Sequence, residues 1–110
     1  MELLTRELEK RFAKVGRQEN KEDPLVIAKF FNPAGAGSWY ATEYDPRKKM
    51  FFGYVSLYGD GNDDWGYFSL KELEDFESPY GTGIERDLEF GECRSSKIVT
   101  KVWPNIEIAE

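Results

Sequence analysis

The sequence predicts an α+β fold: an antiparallel meander of about four to six strands, with an N-terminal helix and a short second helix packed on one face. Three observations predict it. Four aromatic-rich runs, Leu25 to Phe31, Ser38 to Tyr44, Met50 to Tyr58 and Trp65 to Leu70, are separated by loops of Gly, Pro, Asn and Asp. The loops are too short for parallel crossovers, which need roughly a dozen residues or more. An amphipathic segment precedes the runs and a helix-start signal comes after them.

From Leu4 to Val15, the apolar Leu4, Leu8, Phe12 and Val15 recur at helical spacing. Arg6, Lys10, Lys14 and Arg17 fall on the opposite side as a basic stripe, and Gly16 is a natural stop. Leu25 to Phe31 is apolar almost throughout, as a central strand would be, with Pro24 ahead of it. In the second strand, strict alternation sets Trp39, Ala41 and Glu43 against Ser38, Tyr40, Thr42 and Tyr44. The third strand alternates Phe51, Gly53, Val55 and Leu57 against Phe52, Tyr54, Ser56 and Tyr58, and Trp65 to Phe68 makes a fourth. Ser69-Leu70-Lys71-Glu72 reads as a capping box opening a helix from Leu70 to Phe76. Ile84 to Phe90 is expected to be extended, and Lys97 to Trp103 alternates as a strand would.

At 110 residues the chain fits a single domain with one core. Its net charge of −6 disfavours unspecific attraction to phosphate backbones or anionic membranes. Residues 1 to 17 nevertheless carry five basic and three acidic side chains. One cysteine, Cys93, rules out an internal disulfide and a multi-thiolate zinc site, which suits a reducing cytoplasm. The N-terminal residues hold no apolar h-region, and no run approaches the ~20 apolar residues of a membrane span. With no histidine in the chain, the usual base of nucleophilic triads and the commonest zinc ligand are missing. Neither a phosphate loop nor a metal cluster is present, so no cofactor is expected and the balance falls against an enzyme.

The strings Leu3-Leu4-Thr5, Lys29-Phe30-Phe31, Trp39-Tyr40-Ala41-Thr42-Glu43, Phe51-Phe52-Gly53, Gly66-Tyr67-Phe68-Ser69-Leu70 with Glu72-Leu73-Glu74, and Ile84-Glu85-Arg86-Asp87-Leu88 with Phe90 follow one another in this order. Together they resemble the DUF2958 family, a group of uncharacterised small bacterial proteins. The resemblance covers residues 3 to 90, so residues 1–92 are read as the domain and 93–110 as an extension that adds a strand. It implies a bacterial protein of mobile elements and no known activity.

The candidate binding residues are Lys29, Trp39, Tyr40, Glu43, Tyr67, Glu85, Arg86 and Asp87. Glu43 beside Trp39 is a carboxylate on an aromatic face, where desolvation would raise its pKa toward acid–base work. The structural alternative, a Glu43–Arg86 ion pair bracing the Ile84 to Phe90 segment, outweighs catalysis because no second catalytic group accompanies Glu43. Tyr40, Tyr44, Tyr54, Tyr58 and Tyr67, with Lys29, Lys48 and Lys49, are the residue types that stack and neutralise single-stranded nucleic acid, though aromatics at strand spacing are more often core. Asp60, Asn62 and Asp64 match calcium-loop positions, but Trp65 and Lys71 replace the required glycine and glutamate, so a turn is the better reading. The expected role is therefore an accessory module working by protein contact across the sheet or its edge. Single-strand binding is the second reading, and a carboxylate enzyme the third.

Overall fold

A computed structural model of the chain describes residues 1–58 and 63–102. Helix α1 (Arg6–Val15) opens on Thr5, whose hydroxyl accepts the Leu8 N–H, and closes on Gly16 at a φ of 75°. The glycine relieves the left-handed strain that any side chain would meet there. The strands are β1 (Leu25–Val26), β2 (Ala28–Phe31), β3 (Ser38–Asp45), β4 (Met50–Ser56), β5 (Asp64–Ser69), β6 (Glu85–Arg86) and β7 (Cys93–Arg94). Helix α2 (Leu70–Asp75) carries the predicted capping box, with Ser69 and Glu72 satisfying each other's backbone donors. A third helix, α3 (Ser95–Val102), ends the described chain.

The main sheet is antiparallel in the order β5-β4-β3-β2-β6, and β1 pairs with β7 in a small second sheet. This is the α+β meander that the runs and short loops predict. On one face, Phe51 is fully buried and packs 4.8 Å from Tyr44, 5.2 Å from Phe30, 5.4 Å from Phe68 and 5.8 Å from Phe12 between ring centroids. Phe12 and Leu73 bring α1 and α2 onto this face, with Leu4, Leu8 and Val15 packed around them. Burying a side chain such as Phe12 contributes roughly 1.5–3 kcal/mol, which is what holds the amphipathic helix down.

Four expectations are corrected. Lys97 to Val102 is helical, not a strand, while Trp103 lies outside the described residues. The reason lies upstream: the Asp23 carboxylate accepts from the Ser95 hydroxyl at 3.0 Å and from the Ser96 N–H and hydroxyl at 2.8 and 2.7 Å, capping a helix from a distant loop. The two expected helices, α1 and α2, share one face as the sequence predicts, and the added α3 covers the other, where Ile98 joins Val26, Tyr40 and Tyr54 in a second core. The extended segment Ile84 to Phe90 shrinks to Glu85–Arg86, because only these residues pair with Phe31 and Phe30 of β2.

The run Leu25 to Phe31, read as one strand, splits at Ile27. Opposite the split, the β3–β4 register slips between Ala41 and Glu43, a β-bulge at Thr42. The buried Gln18 side chain fills the gap. Its amide donates to the Leu25 and Thr42 carbonyls at 2.9 and 2.7 Å and accepts the Leu25 N–H at 2.8 Å, replacing a missing rung of the ladder. The extra residue also inverts the facing of the remaining β3 side chains. Glu43 pairs with Phe52 and Tyr44 with Phe51, so Glu43 leaves the face of Trp39 and Tyr44 joins it.

Candidate functional site

The structure divides the eight predicted site residues into separate groups. Lys29, Tyr40 and Asp87 form one: the Lys29 ammonium sits 5.6 Å from the Tyr40 ring centroid and 3.8 Å from Asp87. Tyr40 itself is buried under Ile98 and Phe90, which leaves little of its ring at the surface. Trp39 packs against the first core on the opposite face. Arg86 donates to the Glu2 and Leu3 carbonyls at 3.2 and 3.3 Å, tying down the N-terminal residues, with half-buried Glu85 beside it. The expected Glu43–Arg86 pair does not form. Arg86 lies opposite Phe30 on the first-core face, whereas the bulge turns Glu43 to the other face, two strands away.

Glu43 and Tyr67 do come together. They line a cleft of ≈ 600 Å³ between the end of α1 and the β3–β4 turn. Gly16 and Arg17 form its helix side, Asp45, Pro46, Arg47 and Lys48 its turn side, and Phe52 and Tyr67 its sheet side. The turn is held by the Arg47 N–H donating to Asp45 at 2.9 Å, and Lys49 closes it with a φ of 55°. Glu43 accepts the Gln18 N–H at 2.8 Å, and no other donor among the described residues occupies it. The Arg17 guanidinium pairs with Glu19 at 3.2 Å and is held above its ordinary range chiefly by that carboxylate, with smaller contributions from Glu43 and the Tyr67 phenol. Burial first, then Glu9, Glu74 and Asp45, push the Tyr44 phenol up, so it stays a neutral group in the cleft wall. Among the described residues, Arg47 and Lys48 make no ion pair.

Along the second sheet face runs an aromatic ladder: Tyr40 to Tyr54 at 6.4 Å, Tyr54 to Trp65 at 5.5 Å, Trp65 to Phe52 at 6.0 Å and Phe52 to Tyr67 at 4.9 Å. Only its Tyr67 end is open, at 68% exposure, while Tyr40 and Tyr54 are 8% and 3% exposed. The five tyrosines therefore do not form one stacking platform. The Tyr54 hydroxyl is buried without a hydrogen-bond partner among the described residues, and burial, then Asp63 and Asp64, raises its pKa. Strand β5 is an edge, and the phase set by the Leu70 N–H to Lys49 bond turns the N–H groups of Trp65, Tyr67 and Ser69 outward. Asp64 takes the first at 2.7 Å and Glu72 the last at 3.1 Å, so the edge is guarded against strand addition.

Sequence reasoning missed Gln18 and Arg17 as site residues. A lone glutamine in a polar connection carries no periodic signal, and Arg17 was legible only as part of the helix stripe. No group of three or more metal-ligating side chains occurs among the described residues, and Asp60 and Asn62 of the calcium-like loop lie outside them. No helix among the described residues is long and apolar enough to cross a membrane.

An α+β protein with an antiparallel sheet, three helices among the described residues, and a cleft of cations and aromatics beside the β3–β4 hairpin is the class these features define. The chain belongs to DUF2958, described as a protein of unknown function, whose model matches residues 3–102. The match thus takes in Cys93 to Val102, beyond the range over which the sequence strings showed the resemblance. No curated protein and no solved structure gives a significant match.

Proposed function

We propose that the chain is a non-enzymatic accessory module that works by protein contact through the open half of its second sheet face. The carrying observation is Tyr67, 68% exposed at the end of an aromatic ladder whose other end is sealed by α3. Half-buried Phe52 and Trp65 flank it, and exposed aromatic surface of this kind is enriched at interfaces. Contact runs across the face and not along the β5 edge, where two of the three outward donors are already occupied. Against an enzyme, the candidate carboxylates each have structural work: Glu43 holds Gln18, and Asp87 holds Lys29. The resemblance supports a bacterial protein of mobile elements, and the single thiol supports a cytoplasmic setting.

A photo-crosslinking residue at position 67, expressed in the native host, is expected to capture a discrete partner protein that the same probe at Tyr80 does not. Tyr80 is the control because it is 81% exposed and lies outside the ladder. Trp65→Ala should abolish the adduct. Identical adducts at both positions, or none at position 67, would overturn this reading.

A further inference from the structure

We infer that the cleft between the end of α1 and the β3–β4 turn is a nucleotide site, with phosphate on Arg17, Arg47 and Lys48 and base against Tyr67 and Phe52. Three cations from two separate elements converge on one concavity in a chain of net charge −6. Two of them, Arg47 and Lys48, have no ion-pair partner among the described residues, and the third pairs at 3.2 Å with Glu19 in an exposed, easily exchanged contact. Such cations supply charge-assisted bonds to a phosphate. Opposite them, the exposed Tyr67 ring meets Phe52 edge-on at 4.9 Å, leaving an aromatic surface of the kind on which bases stack. The cleft volume of ≈ 600 Å³ suits one such unit.

Glu43 narrows the ligand class. One carboxylate oxygen takes the Gln18 N–H, which leaves the other as an acceptor inside the cleft. An acidic peptide would bring its own carboxylates against Glu43 and Asp45, at a cost in like-charge repulsion. A base with an exocyclic amino group presents two N–H donors to Glu43, whereas uracil presents only its single ring N–H between two carbonyls that the carboxylate repels, which favours adenine, cytosine and guanine over uracil. A second groove, lined by Arg6, Glu9 and Lys10 and sharing Ala13, Tyr44 and Pro46 with the first, adds two further cations and one carboxylate beside it. The nucleotide is therefore either free or one unit of a single strand. The site shares Tyr67 and Phe52 with the protein-contact face, while its cations, Arg17, Arg47 and Lys48, lie outside the aromatic ladder, so their substitution separates nucleotide binding from partner contact.

The test is an NMR titration of the full chain with AMP, CMP, GMP and UMP, with decamers of deoxyadenosine, and with poly-glutamate. AMP, CMP and GMP should produce saturable shifts at Gly16, Arg17 and Tyr67, with UMP weaker. Arg17→Gln together with Arg47→Gln should weaken AMP by about tenfold or more while leaving the circular dichroism unchanged. Glu43→Gln, whose amide oxygen can still accept the Gln18 N–H, should bring UMP up toward AMP. A decamer that binds more tightly than AMP, with strong salt dependence, identifies a strand as the source. Equal affinity identifies the free nucleotide. Absence of saturable shifts at millimolar nucleotide, equal binding of UMP and AMP by the unaltered chain, or equal response to poly-glutamate would overturn the inference.

Discussion

Two polar side chains, Gln18 and Asp23, do more for this fold than any charged pair, and neither stands out in the sequence. Gln18 is 1% exposed and its amide makes three bonds to backbone groups of β1 and β3. Gln18→Ala should strand the Leu25 N–H and two carbonyls, costing about 2–4 kcal/mol in denaturant unfolding. Gln18→Glu should cost more, because a carboxylate cannot donate to the Leu25 and Thr42 carbonyls and would sit close to Glu43. Equal unfolding midpoints for the two variants would contradict this account. Asp23 is held below the ordinary aspartate value of 3.8, first by the Ser96 hydroxyl and N–H and then by Ser95 and Arg94. A carboxyl whose folded pKa is depressed contributes stability above its unfolded value and loses it as pH falls through the folded one. The tether between Asp23 and α3 should therefore be fully present above pH 3.8 and fail only in stronger acid, as pH falls through the depressed folded-state value. The Ser96 amide resonance should titrate with a midpoint under that value, and Asp23→Asn should remove the transition.

At the scale of elements, the bulge at Thr42 is the feature on which the site depends. An unbroken β3 would place Glu43 beside Trp39 on the first-core face, as plain alternation predicts. The slip places it opposite Phe52, on the same face as Tyr67, and so creates the cleft. Gly53 makes the bulge sterically possible, since a Cβ there would lie 1.9 Å from the Tyr40 carbonyl oxygen and 2.9 Å from the Ala41 Cα. Gly53→Ala should push the two strands apart and cost about 3 kcal/mol. Gly66→Ala, on the partner strand with open space around it, should be much milder. Thermal unfolding of the two variants side by side checks the contrast. The helices α1 and α2 were legible because capping residues and periodic leucines are local signals. Helix α3 was not: Ile98, Thr100 and Val102 alternate with Val99 and Lys101 as a strand would, and the cap that overrides this, Asp23, lies more than seventy residues away.

Across the whole molecule, a single layer of helices would leave Tyr40, Tyr54 and Val26 in water, and α3 with Phe90 closes them off. A chain ending at Glu92 should expose this second core, bind a hydrophobic dye and aggregate, whereas Arg11→Ala, which removes only the exposed 2.7 Å pair between α1 and Glu92, should leave the unfolding midpoint close to that of the unaltered chain. A truncated chain that stays monomeric and dye-silent would show that the second core is dispensable. By itself the sequence determined the antiparallel class, the order of the four central strands, the first two helices and the absence of histidine chemistry, because each depends on residues within a few positions of one another. Only the tertiary structure decided which face Glu43 occupies, which tyrosines are buried and where cations gather. Those outcomes depend on a register slip, a buried glutamine and a remote aspartate cap, and such long-range contacts leave no periodic trace in the chain.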